Sequence, residues 1–230
     1  MNPGEIEASL SRIRATLPEE VLLVAAAKSR TVDEVEEALR VGVTTLGHNY
    51  VQEAEPMIAA LGERAKWHLI GHLQKNKVKK AVALFDLIET VDSWVLAEQI
   101  EWRCAVLDKT MEVLVEINSG REAGKTGVLP EEAEDLIRRM ADLPHVRVQG
   151  LMTMGPSFGD PEEARPYFRA TKKVFDRIAE KGIPGVDMRT LSMGMSNSYE
   201  VAIEEGANLV RIGTKLFGSR AVGKASDETR

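Results

Sequence analysis

Residues 21–30 read VLLVAAAKSR: seven apolar residues in a row, then a lysine. A run this short that is apolar on every residue is a strand covered on both faces, as parallel sheets require. Further apolar runs follow at 44–47, 67–70, 84–91, 111–117, 146–152, 188–193 and 209–212. Amphipathic stretches separate them at 32–41, 52–61, 76–83, 94–104, 130–140, 161–181 and 197–205, and a last short helix is expected after Leu216. Strands that alternate with helices build right-handed βαβ units. A doubly wound open sheet is the rival arrangement. Eight strands favour a closed, single-domain (β/α)8 TIM barrel, whose size range admits this length.

Ahead of the first run, Ile6, Leu10, Ile13 and Leu17 share one helical face and Pro18 ends the segment. No linker or low-complexity tract divides the chain. The expected unit is therefore residues 1–220, an α/β barrel with an N-terminal helix, and the polar tail 221–230 is read as frayed. At 230 residues, 43% hydrophobic and 29% charged, the chain is neither disordered nor in need of a disulfide or structural metal. A net charge of −6 argues against general affinity for nucleic acid or acidic membranes. The single cysteine, Cys104, cannot form an internal disulfide, which suits a reducing cytoplasm. No apolar run approaches 18 residues and the start is neither basic nor apolar, so no membrane span or signal peptide is expected. A monomer is expected, with a dimer as the alternative.

A barrel of this type works at the carboxyl ends of its strands. Lys28 stands at the end of the first. Its stem leaves a buried strand, and partial desolvation of the amine disfavours the ammonium and leaves a nucleophile toward carbonyls. The bland alternative is a lysine that snorkels at a strand end. The ends of strands seven and eight, SMGMS (192–196) and RIGT (211–214), suit the phosphate site such barrels build there. Gly194 and Gly213 would let backbone N–H groups approach an anion, Ser196 and Thr214 offer hydroxyls, and Asn197 with Glu200 has capping-box spacing. A carbonyl-reactive amine with a phosphate cradle fits a ligand that carries both an aldehyde and a phosphate. Pyridoxal 5'-phosphate is one, and the sugar phosphates of Schiff-base aldolases are another.

The segments AAAKSR (25–30), GHNYVQE (47–53), WHLIGHLQKNKVKK (67–80), GLMTM (150–154), SMGMSNSYEVAIEEGA (192–207) and VRIGTKLFG (210–218) resemble the pyridoxal-phosphate homeostasis proteins. That family is similar in turn to the barrel domain of alanine racemase, a fold type III pyridoxal-phosphate architecture. The resemblance runs in order over about residues 20–218. It implies pyridoxal 5'-phosphate held as an internal aldimine on Lys28. It also implies the phosphate on Ser196, Gly213 and Thr214, Arg211 at the pyridine nitrogen, Asn49 near the ring, and Met193 and Met195 along the pocket. The implied role is vitamin B6 homeostasis, buffering or delivering the cofactor to PLP-requiring apo-enzymes without robust turnover. A PLP-dependent small-amino-acid racemase or lyase is the alternative. Alanine racemase uses a second domain for its opposing base, and no counterpart is expected here. Two departures mark this chain: His48 stands where members commonly have Glu, and Ser198 where they commonly have Asp.

Other signals are weaker. GREAGKTG (120–127) has three residues, not the Walker pattern's four, between its first glycine and Gly-Lys-Thr, so nucleotide binding is not expected. His68 and His72 lie at a strand end with no accompanying cluster, and no metal is expected. Lys75, Lys77, Lys79 and Lys80 read as a solvated face that could also steer an anion. Cys104 reads as core.

Overall fold

The computed structural model describes residues 3–156 and 159–219, and the tail 221–230 lies outside them. The strands are β1 (Leu22–Ala26), β2 (Thr45–His48), β3 (Lys66–Leu69), β4 (Leu87–Val91), β5 (Met111–Ile117), β6 (Val146–Thr153), β7 (Val186–Ser192) and β8 (Leu209–Ile212). They form one closed parallel barrel in sequence order, which excludes the open sheet. Leu22 to Ala25 of β1 pair with Leu209 to Ile212 of β8, so closure sets the first and last strands side by side.

The helices are α1 (Pro3–Arg14), α2 (Val32–Arg40), α3 (Val51–Leu61), α4 (Val78–Leu84), α5 (Trp94–Leu107), α6 (Ala133–Met140), α7 (Arg165–Glu180), α8 (Tyr199–Glu204) and α9 (Thr214–Phe217). Several boundaries differ from the sequence reading, three of them through turns that reshape an element. Leu84 closes α4 instead of opening a strand, because β4 starts only after the turn at Phe85. The 161–181 segment splits into a 3-10 turn, Pro161–Ala164, capped by Asp160, and then α7. The last helix begins at Thr214, ahead of Leu216, because the chain turns at Gly213 as it leaves β8.

Side-chain alternation divides the apolar material in two. Outward residues such as Leu46, Leu69, Val113, Val115 and Ile212 join Val35, Ile100 and Ile137 from the helices in the main core. Inside the barrel lie two smaller clusters, Val24/Ile70/Leu209 and Leu87/Leu114/Met152. The run MEVLVEI therefore places Glu112 and Glu116 on the same strand face as Leu114, with Glu116 buried and Glu112 exposed at the amino end of the strand. One close approach fixes the sheet's irregularity: Gly150 has φ +145° at the β6 bulge, and a Cβ there would fall 1.8 Å from the Thr190 carbonyl oxygen.

Candidate functional site

The segment after β1 is a tight, heavily tied turn. The Ala27 N–H donates to the Gly47 carbonyl (2.9 Å), and the Arg30 N–H closes back on the Ala27 carbonyl (3.1 Å). Between them Ser29 takes a left-handed φ of +58°, unusual for a residue with a side chain, and its N–H donates to Glu53 Oε2 (3.2 Å). Thr31 and Glu34 then form a reciprocal capping box that starts α2. Arg30 donates to the carbonyls of Phe217 (3.1 Å) and Gly218 (2.5 Å), which rivets the turn to the end of α9. Lys28 projects from this fixed turn, half-buried, with Nζ 5.1 Å from the centre of the Tyr50 ring.

Lys28 opens into a cavity of about 550 Å³ at the carboxyl ends of the strands. Its walls include Asn49, Met195, Ser196, Arg211, Gly213 and Thr214, so the barrel brings together all but one of the residues expected there. The exception is Met193, which is fully buried in the main core and does not line the cavity. Two residues apart on the segment after β7, Met193 and Met195 part company as the chain leaves the sheet.

Beside Lys28, at the end of the neighbouring strand β8, lies a candidate anion cradle. The N–H groups of Gly213 and Lys215 both donate to Ser196 Oγ, at 3.1 and 3.2 Å. Two amides that converge on one oxygen are the donor set a phosphate oxygen needs, and the Ser196 and Thr214 hydroxyls can add to it. Gly213 lets the end of β8 lie close against β1, because a Cβ there would press to 3.3 Å on the Ala26 carbonyl. The expected capping box at Asn197 does not form. α8 starts at Tyr199, and Asn197 Nδ2 donates instead to the Gly159 carbonyl across the cavity rim (3.0 Å). Gly194, with φ +88°, serves packing: a Cβ there would meet Ala202 Cβ at 2.6 Å.

The cavity floor is Arg211, only 3% exposed. Its guanidinium donates to Ser192 Oγ, to the Thr153 carbonyl (2.8 Å) and to Met154 Sδ (3.3 Å), and Nη1 stands 3.7 Å from Glu89 Oε2. Ser192 donates to Glu89 Oε2 (2.6 Å), and His68 Nδ1 lies 2.7 Å from Glu89 Oε1. Glu89 sits on β4, across the barrel from β7 and β8, so this chain of groups spans the interior. Burial alone would push the Glu89 carboxyl up. The hydrogen bond and charge of His68, with Arg211 and Ser192, outweigh it and hold Glu89 below the usual carboxylate range. Burial lowers the Arg211 pKa, yet so basic a guanidinium keeps its proton. The sequence reading missed Glu89 and Ser192 as parts of the site. It treated His68 as a strand-end residue.

The weaker signals resolve structurally. In GREAGKTG, Lys125 pairs with Glu122 (2.6 Å) and Thr126 donates inward to Glu116 Oε1 (2.8 Å), so the loop closes on itself. His72 Nδ1 lies 3.7 Å from Asp92 Oδ2, away from His68's partner. No group of three metal-ligating side chains occurs among the described residues. Among the same residues no helix is long and apolar enough to cross a membrane. Cys104 is fully buried on α5, and burial drives its thiol pKa up to about 11.

His48 is not at the cavity mouth. It is 1% exposed, stacks on Trp67 with ring centres 5.9 Å apart, and neither ring nitrogen has a partner among the described residues. Desolvation lowers its pKa to about 4, from about 6.5 in an unfolded chain. Below the unfolded value the unfolded chain gains a proton that the folded one resists. Stability from this residue is thus complete above about pH 6.5 and drains away toward about pH 4. At pH 5 the loss relative to pH 7 is expected to be about 2 kcal/mol. Urea unfolding at both pH values should show that loss in the wild type and not in His48→Phe. Equal losses in the two proteins would refute the assignment.

Residues 1–221 match the family model described as alanine racemase, N-terminal domain. The chain is 41% identical over 199 residues to the pyridoxal phosphate homeostasis protein of Aquifex aeolicus (strain VF5), covering 86% of each chain. It is 38% identical over 240 residues to that of Mus musculus, covering 97% of this chain and 87% of the other. Among solved structures, PipY of Synechococcus elongatus PCC7942 without PLP is 32% identical with a TM-score of 0.87, over 93% of this chain and all of PipY; the structure of PipY with PLP bound gives 0.84. Alanine racemase from Clostridium difficile 630, 19% identical with a TM-score of 0.78 over 94% of this chain and 56% of the enzyme, shares the barrel. With a closed eight-stranded barrel, a strand-end lysine beside an amide cradle, and matches that run nearly end to end, the chain belongs to the alanine racemase N-terminal-domain family, among the pyridoxal phosphate homeostasis proteins.

Proposed function

We propose that this protein binds pyridoxal 5'-phosphate through Lys28 and acts as its carrier or buffer, keeping a reactive aldehyde out of solution and releasing it to apo-enzymes that require it. The observation that carries the reading is one cavity that holds an amine at one wall, two convergent backbone amides at another and a fixed guanidinium on its floor. PLP is bound in the PipY structure at 32% identity, which supports the same ligand here. When bound, the cofactor supplies an electrophilic carbon and an electron-withdrawing ring; the chain's residues decide how far those are used. Gly213, Lys215, Ser196 and Thr214 would grip the phosphate, Lys28 would meet the aldehyde, and Asn49 and Met195 would border the ring.

Arg211 would face the ring nitrogen with N–H groups only. An arginine has no proton acceptor and no readily lost proton, so it favours the unprotonated ring, a poor sink for electrons. Apart from Lys28, the described lining residues include no carboxylate, histidine or tyrosine. That favours a carrier over a racemase, which needs a base on each face of its substrate. The cytoplasm, a reducing compartment, suits the one buried thiol.

The test is direct. Purified protein incubated with pyridoxal 5'-phosphate and then reduced with borohydride should carry the added mass on the peptide that contains Lys28. Label on other lysines, or none after saturation, would overturn the assignment.

A further inference from the structure

Met154 stands apart from the other methionines. Met57, Met111, Met140, Met152 and Met193 are buried, and Met188 and Met195 are half-buried. Met154 is 38% exposed, the only exposed methionine among the described residues. It directly follows β6, which ends at Thr153, and it lines the cavity together with Arg211. Met195 also lines that cavity, but among the described residues the sulfur bonded to the guanidinium is that of Met154.

Among the described residues the Arg211 guanidinium makes three hydrogen bonds, and their acceptors differ in kind. Ser192 and Thr153 are buried, and neither lines the cavity. The Met154 sulfur, which accepts from Nη2 at 3.3 Å, is the one acceptor on the cavity wall. It is also the weakest of the three, because a thioether accepts hydrogen bonds poorly. One N–H at the cavity floor is therefore held loosely, and a better acceptor that enters the cavity can claim it. On the cofactor reading, on which this inference rests, that acceptor is the ring nitrogen.

We propose that Met154 is an oxidation site through which hydrogen peroxide loosens the protein's hold on its cofactor. The sulfur attacks one oxygen of the peroxide, and the O–O bond breaks. The sulfur gives up two electrons and keeps that oxygen as a sulfoxide, while the other oxygen leaves as water with both protons. Oxidation turns a flexible apolar side chain into a polar one. Its new oxygen accepts from Arg211 far better than the thioether did, and the guanidinium's charge strengthens the bond. The N–H that the ring nitrogen would take is then occupied. Methionine sulfoxide reductases undo the change, so the site works as a switch. The other sulfur chemistry in the chain is out of reach, because Cys104 is fully buried.

The full chain, freed of cofactor, is treated with hydrogen peroxide in its folded state and sampled over time. Peptide mass mapping should find the added oxygen on Met154 ahead of Met188 and Met195. The dissociation constant for pyridoxal 5'-phosphate should rise about 10-fold in the oxidised wild type. It should recover after treatment with the two reductases, one for each sulfoxide epimer. Met154→Leu has a similar size and no sulfur. Each protein is compared with its own untreated sample, and peroxide should change this variant by less than about 2-fold. Circular dichroism checks that the oxidised and variant proteins are folded. Oxygen on Met188 or Met195 ahead of Met154 overturns the proposal. So does unchanged affinity in the oxidised wild type, an equal loss in Met154→Leu, or a loss that persists once the mapped oxygen is gone. Untreated wild type that binds no pyridoxal 5'-phosphate would overturn the cofactor reading and this inference with it, a result distinct from tight binding that peroxide leaves unchanged.

Discussion

Replacing Lys28 by alanine is expected to leave the barrel folded and to abolish borohydride-stable capture of pyridoxal 5'-phosphate. Retention through dialysis should fall about 100-fold or more, equivalent to roughly 2.7 kcal/mol. The fold should survive because Lys28 is half-buried and makes no hydrogen bond or ion pair with the described residues; its Nζ lies over the Tyr50 ring. The turn that carries it is closed by Ala27, Ser29 and Arg30, so alanine at 28 disturbs none of those ties. The phosphate cradle is also untouched, and a residual, unlinked affinity should persist. Absorption spectra of wild type and variant, before and after reduction, separate the two contributions. A visible band of normal intensity in Lys28→Ala would remove the covalent assignment and leave the cradle standing.

Arg211→Met is expected to cost about 3–5 kcal/mol of stability, a larger effect on folding than any other single change at the site. Methionine approximates the length of the arginine stem but removes the charge that faces Glu89. The Glu89 carboxylate, fully buried, would keep only Ser192 and His68 as partners. Most of the cost is thus an uncompensated buried charge, not a lost attraction. The double variant Glu89→Gln/Arg211→Met should therefore recover part of the loss, and the coupling from the double-mutant cycle should be about 1–3 kcal/mol. Urea unfolding at pH 7 measures it. Strict additivity, or a single-variant cost under about 1 kcal/mol, would show that the interior network does not act as a unit.

The barrel was legible because its strands are buried on both faces and its helices on one, so two different periods alternate eight times along the chain. Lys28 was legible for the same reason: a charge that ends an apolar run must sit at a sheet's rim. The interior network was not. Glu89 and Glu116 lie within largely apolar runs, and in a barrel the inward face can be polar while the outward face meets the helices. Sequence alternation alone does not say which face is which. His48 shows the converse, a polar residue at a strand end whose ring points outward to Trp67. Asn197 and Met193 departed from expectation through local geometry: the N-cap falls on Ser198, one residue later than the capping spacing suggests, and the chain turns between Met193 and Met195. The role of Arg30 was illegible because its acceptors, the carbonyls of Phe217 and Gly218, lie some 190 residues away along the chain.

That long-range clasp has a consequence for biosynthesis. The amides of Gly213 and Lys215 and the guanidinium of Arg211 are translated long after Lys28, and β8 must slot beside β1 before they share one cavity with the lysine. A nascent chain still tethered through its final helix presents a bare amine and no grip for the phosphate. On the proposed reading, a chain in which β8 has not closed against β1 would therefore hold the cofactor poorly, and a truncation before Leu209 should fail to retain it.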